Sequence, residues 1–199
     1  MTLPSHGQVS TLIRHRRSIK PTDLDPQRMV ETELLTQVLE DATWAPNHGM
    51  TEPWLFHIFQ GTSRHELAEK LQQAYRDITP TSEFRQDKFA KMGENPRQAP
   101  VVIAAIMKRQ GAGGKIPEIE EIEAVASALQ NLQISATAAG LAGYWSSPPV
   151  VDAPDFKHWL GLKHEDRCLG LIYLGWPKSD LAWPRSTRRP IADKVIWHS

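Results

Sequence analysis

Val30, Leu34, Val38 and Ala42 recur at every fourth position, and Leu35 and Leu39 widen the stripe. This rhythm predicts a helix over 26–43, with Asp25 as N-cap and Pro26 as its first residue. Val9, Leu12 and Ile13 keep the same spacing in a shorter helix that runs into Arg14. Ser63 with Glu66 reads as a capping box opening a third helix, continued by Leu67 and Leu71. Two apolar runs bounded by turn signals, 54–59 and 101–107, read as strands, the second central in a sheet. A third strand is expected over 168–175, after a short helix near 156–160.

The longest periodic stretch runs from about Pro117 to Ala139. Ile122, Val125, Leu129, Leu132 and Ala136 form one face, while Ala124, Ala126, Ala128, Ala138 and Ala139 spread small residues around the others. Such a helix can pack closely on several sides, as at the centre of a core or at a subunit interface. Gly140 and Gly143 are expected to end it, with 144–149 as a loop. Pro46, Gly49 and Pro53 make another loop of 44–53. The polar stretch 79–97 reads as an exposed helix or excursion, and the proline-containing tail 176–199 as an extended arm. No repeat or linker divides the chain, so 1–199 is expected to form one domain of α+β class, one sheet with helices around it.

Composition narrows the classes. The chain has 199 residues, 40% apolar and 23% charged, with zero formal net charge. That balance argues against a nucleic-acid footprint, which shows a basic excess. A single cysteine, Cys168, allows no intrachain disulfide, and a cytoplasmic location is the default expectation. The first residues lack the apolar core of a signal peptide, and no apolar run reaches the length of a membrane span.

Several catalytic motifs fail on inspection. In Gly111-Ala112-Gly113-Gly114-Lys115-Ile116, a dinucleotide fingerprint needs glycine where Ile116 stands. A P-loop needs glycine at Arg109 and a hydroxyl residue at Ile116. His65-Glu66 has no second histidine at the metalloprotease spacing, and His158, His164 and Cys168 are too loosely spaced for zinc. No nucleophile elbow occurs, and Cys168 lies inside an apolar strand where an inert thiol is expected. No metal site is expected. An enzyme built this way would rely on a cofactor for its chemistry.

Against the neutral background, Arg14-His15-Arg16-Arg17-Ser18 puts three arginines and a hydroxyl within five residues. Guanidinium forks make bidentate, charge-assisted bonds to phosphate oxygens, so Arg16, Arg17 and Ser18 are candidates for a phosphate monoester. Arg14 and His15 read as solvated. A second basic cluster, Arg185 with Arg188 and Arg189, stands in the tail.

Taken in order, Arg16-Arg17-Ser18, Ala45-Pro46-Asn47-His48, Pro53-Trp54, Glu121 on the long helix, Gly140 to Trp145, Leu174-Gly175 and Arg188-Arg189-Pro190-Ile191 resemble the nitroreductase family of flavin enzymes. The order and spacing hold along nearly the whole chain. The resemblance implies a nitroreductase-like fold with a central, mainly antiparallel sheet surrounded by helices and a C-terminal extended arm. It implies a homodimer with FMN at the subunit interface and NAD(P)H as co-substrate. By position, it implies that Arg16, Arg17 and Ser18 bind the flavin phosphate and ring edge. Trp44, Asn47 and His48 would approach from the other subunit, Trp145, Ser146 and Ser147 would follow the long helix, and Arg188 or Arg189 would close on the phosphate. The implied activity is transfer of reducing equivalents from NAD(P)H to an oxidised small-molecule acceptor such as a nitroaromatic or quinone, by a ping-pong mechanism. The alternatives are a same-fold flavin enzyme with another acceptor (a dehalogenase, flavin-destroying or azoline oxidase type) and a flavin-binding protein without turnover. Three positions depart from the family pattern. Glu52 stands where glutamine is common, and Trp44 and Ser146 stand where close members carry arginine. They bear on NADPH preference more than on FMN binding.

Overall fold

A computed structural model describes residues 3–111 and 113–198; Ala112 of the glycine-rich loop and Ser199 of the tail lie outside them. Four strands, β1 (Trp54–Gln60), β2 (Val101–Met107), β3 (Ala142–Ser146) and β4 (Arg167–Gly175), form one sheet in the order β1-β2-β4-β3 with every neighbour antiparallel. Among the described residues six α-helices surround it: α1 (His6–His15), α2 (Thr32–Thr43), α3 (Ser63–Ile78), α4 (Gln86–Gln98), α5 (Glu118–Ala138) and α6 (Pro154–Trp159). The class is α+β, as the pattern predicts.

The apolar run of β2 is continuous because both faces of this central strand are covered, and all seven of its residues are buried. Val101, Ile103, Ala105 and Met107 join Ile172 and Leu174 of β4 in one cluster with Leu35 and Val38 of α2 and Val125, Leu129 and Leu132 of α5. Val102, Ala104 and Ile106 point the other way, to Leu67 and Leu71 of α3 and Phe156 of α6. The alanine-rich α5 lies between sheet and α2, with Ala124, Ala128 and Ala136 among its buried residues. Among the described residues, no helix is long and apolar enough to cross a membrane.

Three local expectations are corrected, and one left open between two outcomes is decided. Helix α2 starts at Thr32, not at Pro26. Asp25 Oδ1 accepts from the Gln27 amide (3.0 Å), which makes a turn in place of a cap. Arg28 lies over the Trp176 ring, 3.6 Å from its centroid, and the Met29 carbonyl accepts from Trp176 Nε1 at 3.1 Å. Tertiary contacts thus claim this segment against its periodicity. The Ser63–Glu66 capping box does not form. Ser63 Oγ bonds Gln60 on both backbone groups, and Glu66 accepts from Trp159 Nε1 (3.1 Å). Tyr144, Trp145 and Ser146 of the expected 144–149 loop belong to strand β3 (Ala142–Ser146), since β4 pairs with it from Ala142–Gly175 to Ser146–Leu171. The polar stretch 79–97 holds α4, packed on α3 through the Tyr75, Phe84 and Phe89 rings.

Candidate functional site

Helix α1 opens with a Ser5–Gln8 capping box and buries none of its residues. It delivers Arg16 as its C-cap, where the chain turns extended. Ser18 then bridges Gly143 in parallel, the Ile19 amide donates to the Gly143 carbonyl (2.9 Å), and the Ile19 side chain is buried. One apolar anchor thereby ties the Arg16-Arg17-Ser18 segment to the free edge of β3 at Gly143; because the bridge is parallel, Arg16 and Arg17 lie on its Leu141–Ala142 side, and Tyr144 to Ser146 continue the other way.

Arg16 is partly buried, with Nη1 3.4 Å from Gln133 Oε1 on α5. Its pKa is pulled below the ordinary arginine value by burial first, then by the charges of Arg17 and Arg188. Arg188 of the tail therefore lies close enough to bear on Arg16, and Arg17 Nε ties the arm to the same segment at the Pro184 carbonyl. None of the three guanidiniums forms an ion pair with a carboxylate among the described residues. Arg17 is partly committed elsewhere: Nε donates to the Pro184 carbonyl (2.9 Å) and Nη1 to the Arg16 carbonyl (2.8 Å). It anchors the arm as well as adding charge. Arg189 offers its carbonyl to Lys194 Nζ (3.1 Å), and no hydrogen bond or ion pair joins its guanidinium to the cluster among the described residues. Of the two tail arginines, Arg188 is the one whose charge bears on Arg16.

Trp145 is half-buried in β3. Its Nε1 donates to the Leu169 carbonyl (3.0 Å), so the ring is fixed against the sheet. Ser146 follows in the same strand, and Ser147 is exposed just beyond it.

The 44–53 loop lies elsewhere. Trp44 is 86% exposed, and Asn47 Oδ1 accepts the Glu52 amide (3.0 Å), closing the loop on itself. Met50 and Glu52 hold positive φ, 52° and 47°, a conformation costly for residues with a side chain. His48 Nδ1 pairs with Glu120 Oε2 in the first turn of α5. Gln133, which meets Arg16, is thirteen residues further along that helix. At 1.5 Å per residue the two points are about 20 Å apart. One chain thus brings Arg16 and Arg17 near Arg188 and sets Ser18 opposite Gly143 of β3, the strand that continues to Trp145 and Ser146, while His48, with Asn47 before it, sits by the first turn of α5 and Trp44 caps α2.

The sequence model of the nitroreductase family matches residues 13–176. The chain belongs to the nitroreductase family. YdjA of Escherichia coli strain K12, which carries a provisional NAD(P)H nitroreductase name, is 29% identical over 147 residues, 73% of this chain and 77% of YdjA. A crystal structure of a nitroreductase-like protein from Bacillus cereus is 28% identical with a TM-score of 0.77, covering 100% of this chain and 98% of that one. A nitroreductase-type structure from Desulfovibrio desulfuricans in complex with FMN shares the fold at 22% identity and a TM-score of 0.73, over 98% of this chain and 99% of that one.

Two features escaped sequence reasoning: the contact of Gln133 with Arg16, and the partners of Glu121, a residue marked only through the family resemblance. Gln133 is a buried polar residue amid the apolar positions of α5, with Nε2 on the Leu129 carbonyl at 3.4 Å. A lone amide among Leu129, Leu132 and Ala136 was the available signal. The second is the brace behind the 108–117 loop. Glu121, 1% exposed, pairs with Arg109 and accepts from the Gln110 and Gly111 amides at 3.1 and 3.0 Å. Its acid–base pairing spans a loop of unassigned conformation, so no spacing rule could have found it.

Proposed function

We propose that this nitroreductase-family chain is an FMN-dependent oxidoreductase. In this reading it transfers reducing equivalents from NAD(P)H to an oxidised acceptor such as a nitroaromatic or quinone, and works as a homodimer. The observation that carries the reading is the convergence of Arg16, Arg17 and Arg188 with no carboxylate partner. Three cations left uncompensated on a neutral chain fit a phosphate monoester, and FMN ends in one. When bound, the flavin supplies two-electron redox chemistry, accepting hydride from a nicotinamide and passing electrons to the acceptor.

The residues have distinct tasks. Arg16 and Arg188 hold the phosphate, with Ser18 as a further donor, and Gln133 orients Arg16 through its amide oxygen. Trp145, locked by Leu169, provides a rigid wall beside the β3 edge. Trp44, Asn47 and His48 complete the site only when a second copy runs its α5 antiparallel to the first. The exposed Trp44, Met50 and Ile119 supply the apolar area such a partner would cover.

With no dinucleotide fingerprint and no second phosphate loop, one slot serves nicotinamide and acceptor in turn, and the kinetics are ping-pong. The test is a visible spectrum of the purified protein before and after NADH or NADPH, followed by initial rates against both substrates. Bound flavin that bleaches with NAD(P)H, and parallel double-reciprocal lines, are expected. A chain without affinity for FMN refutes the cofactor. Flavin that neither nucleotide reduces would mark a non-catalytic flavin-binding protein, and intersecting lines would reveal a separate nicotinamide site.

A further inference from the structure

The C-terminal arm is pinned twice on the N-terminal segment. Just after β4, the Asp25 amide donates to the Trp176 carbonyl (2.8 Å) and the Lys178 amide to the Asp23 carbonyl (3.0 Å). The second pin lies at the end of α1. Trp183 Nε1 donates to the His15 carbonyl (2.9 Å), and its ring stacks on the His15 imidazole, 4.9 Å between centroids with 5° between planes. Arg17 Nε completes it on the Pro184 carbonyl (2.9 Å). From Arg185 to Lys194, the hydrogen bonds of the arm among the described residues are internal to it. Trp183 and Pro184 are therefore its last fixed points before Arg188. Four residues span at most about 14 Å, so the pin decides whether Arg188 stays near Arg16 or sweeps through solvent.

We propose that Trp183 is a positioning residue. Clasped to His15, it holds Arg188 beside Arg16 and so raises affinity for the phosphate end of the ligand, without touching that ligand. This rests on the reading of the arginine cluster as a phosphate site. The physics is that of a tether: a restrained cation has already lost the freedom that a loose one must lose on binding. His15, which seemed merely solvated in the sequence, is half of the clasp.

The experiment titrates the full-length chain, freed of bound flavin, with FMN and with riboflavin, which lacks the phosphate. The variants are Trp183→Ala, Trp183→Phe, Arg188→Ala, Arg16→Ala and the double variant Trp183→Ala/Arg188→Ala. Trp183→Ala is expected to weaken FMN about five- to tenfold, the scale of ordering one long side chain and its segment, and to leave riboflavin unchanged. In the Arg188→Ala background it should have no further effect. Trp183→Phe keeps the stack and should retain most of the affinity. Equal losses for FMN and riboflavin would overturn the proposal, because a general structural role moves both. So would losses that multiply in the double variant. A Trp183→Ala protein with unaltered FMN affinity, when Arg16→Ala has lost it, would sink the clasp and spare the phosphate site. If Arg16→Ala and Arg188→Ala both leave the FMN-to-riboflavin ratio unchanged, the phosphate site falls, and the clasp with it.

Discussion

Gly170→Ala tests how tightly Trp145 is built into the sheet. Register between β2 and β4 shifts between Ala105, opposite Gly170, and Ile106, opposite Cys168, so Leu169 is an extra residue and β4 bulges there. Gly170 takes φ 136°, and a Cβ on it would lie 2.5 Å from the Ser146 carbonyl oxygen and 2.6 Å from Trp145 Nε1. The carbonyl is backbone of the paired strand and cannot swing aside. The backbone conformation alone costs about 1–3 kcal/mol, and forced overpacking adds about 1–3 kcal/mol. Displacing Trp145 from the Leu169 carbonyl would lose a further ~1 kcal/mol. A total of about 3–7 kcal/mol is expected, within reach of a typical domain stability. Gly161→Ala is the control: φ is 69°, but nothing lies within 4 Å of its Cβ, so only the backbone cost of about 1–2 kcal/mol should appear. Urea unfolding midpoints at unchanged m-value measure both. Equal destabilisation by the two alanines would show that Trp145 and Ser146 yield freely, and the rigid wall would be lost from the mechanism.

Glu121→Ala leaves Arg109 without its acid and two loop amides without their acceptor, and is expected to cost about 3–5 kcal/mol in denaturant. A loss under 1 kcal/mol would mean the brace opens to water freely. Burial pushes the Cys168 thiol up to about 12 from an ordinary value of 9.0. The folded state keeps a proton that the unfolded chain loses, so stability present below pH 9 falls as pH rises towards 12, by about 1.4 kcal/mol per unit. Unfolding curves against pH should be shallower over this window for Cys168→Ala, and identical slopes would exclude the thiol as the source. Arg16→Ala should lower FMN affinity by about 2–3 kcal/mol, the scale of a charge-assisted hydrogen bond, while Arg14→Ala changes little; equal flavin retention by both would contradict the cluster's assignment.

The parts of the fold that were legible are those in which one residue pattern had one outlet. Strand β2 reads from its sequence because seven consecutive apolar residues fit nothing but a strand covered on both faces. Helix α5 reads because its stripe is long enough to outvote local exceptions. Strand β3 was hidden because Gly143 and Ser146 break the apolar alternation, and pairing with β4 defines it. The 26–31 segment was misread because Trp176, some 150 residues away in sequence, takes its Arg28 face and Met29 carbonyl. The same limit applies to the site. Arg16, Arg17 and Ser18 announce themselves by local density, whereas the choice of Arg188 over Arg189 depends on how Trp183 and Pro184 fasten the arm.

Helix α5 ties these observations together. Its 21 residues span about 30 Å at 1.5 Å each. At the N-terminal end, three glutamates lie where the helix dipole favours negative charge, and each takes a base from a different segment. Glu118 pairs with Arg167 at 2.8 Å, Glu120 with His48 of the 44–53 loop, and Glu121 with Arg109 of the 108–117 loop. At the other end Gln133 meets Arg16. The helix is thus a ruler with acid-braced loops at one end and unbraced arginines at the other. Neutrality of the whole chain conceals this division, since a net charge counts acids and bases without regard to where they stand. In the proposed reading, a ligand carrying both a phosphate and a flat ring finds its charge partner on one chain. The proposed antiparallel second copy would bring the strained 44–53 loop to the ring, giving two equivalent sites per pair.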